Sequence, residues 1–479
     1  MTMPLMLLEA RRLLRNPILW SATLLALVVA LVQSTAWLPD LTMMTIDGVT
    51  ASALIATAAL ISANLAAGRD RRHGMPEMLA ALPTRATTRT RAVVFAAPPI
   101  AAALAALMVS AFLLFPWRSG PVAGRFDLYE ALTGVALAAV AACLGAVLAR
   151  WTPWLIMPPL LIFGLAFAVS VNPRGEYAGG FLPLVPAYSP EWEARPAGQH
   201  LLYLTAAAVA LTAAALLRHG LRPVRAMVLL AGLAVAIPAG ASATAATPLP
   251  PRNPSAADQP KQICQRNEGV SYCVYPDYRA WIPVWAQALR PIVSVIPDRA
   301  RAQIPAIRQR PAIPGPSIEQ LLAEPGTWPI WSTDPADHQA MLLGQVARKA
   351  AHVRDACDGV GLAKAVVALW LVGRASRLLD APGPGVWRGD GFNGEELNGV
   401  QRIPMRSNGE LFLAGQISGL KYGAAEVGYA RRLLERPDSV DRVRAHWDRL
   451  TASNTTIDQA LPLLGLNSEF PATKLEGCR

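Results

Sequence analysis

Two cysteines nine positions apart, Cys264 and Cys273, carry the most definite chemistry in this 479-residue chain. They bracket Gln-Arg-Asn-Glu-Gly-Val-Ser-Tyr, with no His or further Cys nearby at the spacing a metal would need. In an oxidising compartment such a pair closes a small hairpin as a disulfide, stabilising it by about 2–3 kcal/mol through loop closure. Cys357 and Cys478 leave a second bridge open, and Cys143 falls inside an apolar run, where a thiol acts as a small packing residue. Catalytic frames are missing. His338, His352 and His446 lack an H-E-x-x-H frame and no G-x-S-x-G occurs. None of the five lysines (261, 349, 364, 421 and 474) follows a glycine, so no Walker-type phosphate cradle is present. The run Gly389-Asp-Gly-Phe-Asn-Gly-Glu-Glu396 has the composition of a calcium loop, but its acids miss the EF-hand positions and a Gly-rich turn fits it better. The neighbours Glu395/Glu396 and Asp337/His338 face apart on any regular element and read as solvated surface. The expectation is a protein that is no enzyme and holds no cofactor or metal.

The frame around these residues is hydrophobic. The chain is 53% hydrophobic and only 16% charged, against about 25% charged in a water-soluble protein, and its mean hydropathy is +0.31. This composition excludes whole-chain disorder and implies a membrane protein with a polar part attached. A pI near 9.8 raises nucleic acid as a partner, yet no basic stripe interleaved with aromatics supports it. A spanning helix needs about 20 apolar residues, and seven stretches qualify: about 17–37, 45–67, 93–115, 128–149, 154–171, 200–217 and 226–244. The fifth and sixth are short, and the fifth contains Pro158 and Pro159. One side of these spans receives 13 arginines, from Arg11 to Arg225, against three acids; the other receives Arg118, Arg125, Arg174 and Arg195 against seven. Arginine kept on the cytoplasmic face sets topology. The N-terminus is therefore expected in the cytoplasm of a multi-pass plasma-membrane protein, with everything after about residue 245 outside the cell.

Residues 5–16 read as a basic amphipathic helix in the headgroup region. Met6, Leu7, Ala10, Leu13 and Leu14 share one sector, while Glu9, Arg11, Arg12, Arg15 and Asn16 share the opposite one. A signal-peptide n-region is the other reading of such a start. Polar residues inside the spans are few: Gln33, Ser34, Asn64 and Glu130. That scarcity disfavours a proton- or ion-coupled carrier, and Asn64 suits an interhelical hydrogen bond. Gly134 with Ala138, and Ala141 with Gly145, give the small-xxx-small spacing of close helix packing.

Between the second and third spans lies Gly68-Arg-Asp-Arg-Arg-His-Gly-Met-Pro-Glu-Met-Leu-Ala-Ala-Leu-Pro-Thr-Arg85. A charged start leads through Gly74 to an amphipathic stretch that ends at Pro83, which has no amide to donate. Such a segment offers a soluble partner an apolar ridge flanked by arginine. Here the sequence resembles the ABC-2 type permease subunits of ATP-binding-cassette transporters. The residues that carry the resemblance are Asp70, Arg71 and Arg72, then Gly74, Glu77, Met78, Leu79 and Leu82, then Pro83 and Arg85. The resemblance covers roughly residues 1–225. It implies a six-span core behind an interfacial elbow helix, with this loop docking on a separate ATPase subunit, and permease subunits paired as a homo- or heterodimer among membrane lipids. Two features depart from the family: Pro76 inside the expected coupling helix, and a seventh span followed by an extra domain.

The expected organisation is a transmembrane domain over 1–225, a seventh helix over 226–244, a Pro-rich linker over 245–262 and an extracytoplasmic, mainly helical domain over 263–479. Ala241-Ser-Ala243 leaves internal cleavage after residue 243 as an alternative to an uncut span. Helical patterns are expected over about 276–296, 335–357, 359–380, 409–435 and 437–451, with a loop subdomain at 385–408. The fold class is thus an all-α membrane protein with an outer helical domain, and the expected role is the permease of an exporter driven by ATP hydrolysed in a partner. A membrane anchor that displays the outer domain is the alternative; an exported hydrolase on a membrane stalk is a weaker third. The Ala-, Arg- and Pro-rich, Lys-poor composition suits a high-GC bacterium.

Overall fold

The computed structural model describes residues 2–34, 39–72, 86–115, 121–152, 154–172, 178–185, 196–246, 261–310, 326–327, 335–354, 358–375 and 424–470. The chain divides into two compact units, Met1–Ser34 with Pro39–Pro251, and Thr35–Leu38 with Arg252–Arg479.

The first unit is all helix: α1 (Thr2–Leu14), α2 (Pro17–Ser34), α3 (Leu41–Ala67), α4 (Arg69–Arg72), α5 (Ala86–Leu113), α6 (Leu128–Trp151), α7 (Met157–Val171), α8 (Ala197–Leu217) and α9 (Pro223–Ala246). Among the described residues six of these, α2, α3, α5, α6, α8 and α9, are long and apolar enough to cross a membrane. The stretch at 226–244 is one of the six. The fifth stretch is where expectation and structure differ: α7 has 15 residues, or ~22 Å at ~1.5 Å per residue, less than the ~30 Å of hydrocarbon. Trp154 to Ile156 precede it without joining the helix, and Pro158 and Pro159 occupy its first turn, where their missing amides break no helical bond.

The core lies between α3 and α6. Gly145 is required there, because a Cβ on it would stand 2.1 Å from the carbonyl oxygen of Leu60. The small-residue spacing read along α6 therefore marks a close approach of two backbones. Asn64 Nδ2 donates to the Gly145 carbonyl at 3.2 Å, the interhelical role expected of it. α7 lays Leu161, Ile162 and Val169 against a cluster of Val49, Ala56 and Leu60 from α3 with Leu137 and Ala141 from α6. One expectation needs correcting. Asp47 stands inside α3, two turns from its start, and its buried Oδ2 has no hydrogen-bond partner among the described residues. The sequence reading did not name it among the polar residues of the spans, although it falls within the 45–67 stretch.

Two sets of contacts define the ends of the bundle. At one end the Asp40 carboxylate caps α3 by accepting from Thr42 N at 2.8 Å, and the Leu41 amide donates to Ala123 O at 2.9 Å. The Asp127 carboxylate caps α6 there, accepting from Tyr129 N at 2.8 Å. At the opposite end Trp151 Nε1 donates to Ala214 O, near the end of α8, at 2.9 Å. After α7, Gly180 N donates to Thr244 Oγ1 at 3.0 Å, and His200 Nε2 bonds the Leu182 carbonyl at 2.9 Å. His200 and Ala214 are separated by roughly 21 Å along α8. The chain from Trp151 to Gly180 therefore runs the length of that helix.

The second unit builds helices around one buried rod, and adds a sheet that the sequence reading anticipated only as a hairpin. Strands β1 (Ile263–Asn267), β2 (Val270–Val274), β3 (Ile307–Gln309) and β4 (Gly326–Thr327) pair in the order β1-β2-β3-β4, the first pair antiparallel and the others parallel. Glu268 and Gly269 make the hairpin turn with φ of 50° and 85°, the left-handed pair that matches strand twist in a two-residue loop. Its register sets Cys264 directly opposite Cys273, and they form a disulfide.

The helices are α10 (Ile282–Val293), α11 (Asp298–Arg301), α12 (Pro335–Ala350), α13 (Ala363–Ala375), α14 (Ala424–Glu435), α15 (Ser439–Ala445), α16 (Trp447–Leu450) and α17 (Ile457–Leu464). Every residue of α13 from Ala363 to Val372 is buried, with α10, α12, α14, α16 and α17 packed around it. Trp281, Trp285, Trp370 and Trp447 fill this core. Lys364 lies at 1% side-chain exposure and pairs with Asp358 at 2.5 Å, while the Glu426 carboxylate accepts from the Gly361 amide at 2.7 Å. Cys357, Cys478 and the 385–408 segment lie outside the described residues.

Candidate functional site

The end of the bundle that carries Trp151 also carries most of the arginines. It begins with α1, which meets α5 through Met6, Ala10 and Leu13, a spacing of four and three that keeps them on one helical face. Leu7 and Leu14, expected in the same sector, are exposed. Glu9, expected on the polar face, turns toward the bundle instead. Its carboxylate accepts from Arg12 at 3.2 Å and from both terminal nitrogens of Arg69, at 3.1 and 3.4 Å, the fork geometry of a paired guanidinium and carboxylate. At the elbow between α1 and α2, Asn16 Nδ2 donates to Ser62 Oγ at 3.0 Å and Asn16 Oδ1 accepts from Ile18 N at 3.0 Å. The elbow is thereby fixed to the last turns of α3.

The segment expected to meet an ATPase leaves from this point. Gly68 ends α3, its amide donating to Asn64 O, and α4 carries Asp70, Arg71 and Arg72. Gly74, Glu77, Leu79, Leu82, Pro83 and Arg85 lie outside the described residues. The two ends of the segment are joined across its base, where Arg89 Nε on α5 pairs with Asp70 Oδ2 at 3.3 Å. Glu9–Arg69 and Asp70–Arg89 together connect α1, α4 just after the end of α3, and the start of α5.

Beside this clamp the turn between α8 and α9 approaches α5. His219 Nε2 and Thr90 Oγ1 share a hydrogen bond of 2.7 Å. Burial pushes the His219 pKa down from its ordinary 6.5, and the positive charges of Arg150, Arg225, Arg218 and Arg89 push it further the same way. The imidazole is held neutral in a basic setting. Arg225, at 8% exposure, closes the turn: its Nη1 donates to Leu216 O at 2.8 Å and Gly220 O at 3.3 Å. A cavity of about 930 Å³ opens next to it, walled by α5, α8 and α9, with α1 along one edge.

Sequence reading placed Asp70, Arg71 and Arg72 here and treated the remaining arginines as topology markers. It missed Glu9, Arg69, Arg89, Arg91, His219 and Arg225 as members of one site. Glu9, the single acid of the first helix, was the available signal. Among the described residues no three His, Cys, Asp or Glu side chains gather as a metal site would require. Comparison with known protein families, characterised proteins and solved structures finds no match to the chain.

Proposed function

We propose that the chain is the membrane-spanning subunit of an ABC-2 type exporter, driven by ATP hydrolysed in a separate subunit docked on residues 70–85. The observation that carries this reading is the paired clamp at the base of that segment. Glu9–Arg69 and Asp70–Arg89 connect three helices where the segment leaves and re-enters the bundle, so a push on it would reach α1, α3 and α5 together. The elbow helix docked through Glu9 and Asn16, and the loop signature itself, support the same assignment.

A topology accompanies the proposal. Arginine segregation puts the N-terminus in the cytoplasm, and the Cys264–Cys273 disulfide belongs in an oxidising compartment. The chain must then cross an odd number of times. Six long helices leave one crossing to α7, which fits the passage from Trp151 to Gly180 along α8. A bilayer accommodates a short helix by thinning locally, at a cost of fractions of a kcal/mol per Å.

The test is co-purification. The full chain co-expressed with the ATPase encoded beside it should retain that ATPase, and deletion of residues 74–83 or Glu77→Arg should release it without altering the thermal unfolding of the chain. An ATPase retained equally by the deletion would exclude this segment as its dock. Full biological function after replacement of the bundle by an unrelated anchor would favour display of the outer domain instead.

A further inference from the structure

We infer that the cavity between α5, α8 and α9 binds an anionic phospholipid, its phosphate held by Arg91 and Arg225 and an acyl chain lying along the apolar wall. This site is independent of the transport reading and would exist equally in a membrane anchor. The argument starts from the order of residues. On α5, Arg91 comes one turn before Phe95 and two turns before Pro98; on α9, Arg225 comes one turn before Val228. All five line the cavity, with Val209 and Thr212 of α8 opposite. Both helices leave the arginine-rich end of the bundle, so charge sits at the mouth and hydrocarbon lies beyond it, the same order as in a lipid.

Charge complementarity points to the headgroup. No acid lines the cavity. Arg91 forms no ion pair among the described residues, and Arg225 donates to main-chain carbonyls, which leave its charge uncompensated. Arg91 and Arg222 both act electrostatically on Arg225, so the mouth holds adjoining positive charges that an anion would relieve. Shape points to the chain. The volume of about 930 Å³ is at the upper end of the range of ligand sites. Its walls are mostly apolar, and the exposure of Phe95, Val209 and Val224 opens it sideways.

The test uses the full chain purified in detergent with equal amounts of phosphatidylglycerol and phosphatidylcholine, and measures retained lipid by native mass spectrometry. Phosphatidylglycerol should be retained over phosphatidylcholine. Arg91→Gln should lower that retention about fivefold, the effect of one arginine near a headgroup. Val209→Trp, at an exposed position on the wall, should lower it by blocking the chain while thermal unfolding stays unchanged. Arg11→Gln, an exposed arginine of α1 outside the lining, should leave it unaltered. Equal retention of the two lipids, an Arg11→Gln effect as large as that of Arg91→Gln, or wild-type retention in both cavity variants would each overturn the inference. Displacement of the lipid by inorganic phosphate alone would reassign the site to a free anion and overturn it as well.

Discussion

The side-chain amide of Asn64 in α3 donates to the main-chain carbonyl of Gly145 in α6, at the level where the two backbones come closest. The hydrogen bond and the close approach rest on the same residue, because only glycine leaves room for Leu60 beside it. Gly145→Val should separate α3 from α6 and destabilise the bundle by about 3 kcal/mol or more, the cost of overpacking a close contact. Asn64→Leu should cost only about 0.6 kcal/mol, the average for an interhelical bond within a membrane. Denaturant unfolding of both variants in mixed micelles would compare them; equal losses would show that the hydrogen bond, and not the fit, holds the pair.

The clamp at the base of the 70–85 segment should behave differently. Asp70→Asn combined with Glu9→Gln should change thermal stability by less than about 1 kcal/mol, since partly exposed ion pairs contribute little. If the clamp transmits force as proposed, the same double variant should keep the proposed ATPase partner while losing coupling between hydrolysis and transport. ATP turnover and substrate export measured together in proteoliposomes would separate these outcomes.

Replacing both Cys264 and Cys273 by Ser should lower the stability of the second unit by about 2–3 kcal/mol, the loop-closure contribution of a short ring. Because the cysteines face each other across the hairpin, loss should be concentrated in β1 and β2, where hydrogen exchange would report it. Thiol labelling of intact cells after mild reduction should reach Cys264 from outside; labelling only after lysis would reverse the proposed topology.

How far the fold could be read from sequence follows from what each feature depends on. Span positions, the Gly145 contact and the cysteine hairpin depend on composition and short spacing, and all were legible. The length of α7 was not, because Trp154 to Ile156 are apolar but stand outside the helix, and hydropathy does not distinguish the two states. Asp47 was missed because a polar residue near the end of an apolar stretch reads as a flank. In the second unit the pattern found α12 and α13 but ran α12 past its end and began α13 too early, and it saw no strand at Ile307–Gln309, which is too short to show a period. Arg91 and Arg225 are far apart in sequence, and only the packing of α5 against the last helices makes them neighbours.

A pH dependence should follow from His219. Its folded pKa is below 6.5, so the unfolded chain binds the extra proton first as pH falls. Stability should therefore decline as pH drops through about 6.5 and level off below the depressed folded value. His219→Gln, which can keep a hydrogen bond to Thr90, should flatten that part of the curve. Thermal melts of both proteins from pH 8 to 5 would check it.

In the second unit, Asp358→Asn should cost about 3–5 kcal/mol, because it leaves the buried Lys364 charge without its partner. Burial alone would raise the Asp358 pKa, but the Lys364 hydrogen bond, the Arg354 amide and the charges of both residues outweigh it and hold the carboxyl below its ordinary 3.8. The stabilisation from this group is present above pH 3.8 and lost as pH falls through the lower folded value. Acid unfolding followed by tryptophan fluorescence should begin at higher pH in Asp358→Asn.

Arg225 ties the Leu216 and Gly220 carbonyls of the turn to the first turn of α9, and Gly232 lets Ala210 approach within van der Waals range. These two helices thus close their own turn and pack along their own seam, while His219 reaches Thr90 of α5 and Ala214 O accepts from Trp151 of α6. During biosynthesis such a helical hairpin can leave the translocon as one finished piece and join the bundle later, which makes it the natural fragment to express alone.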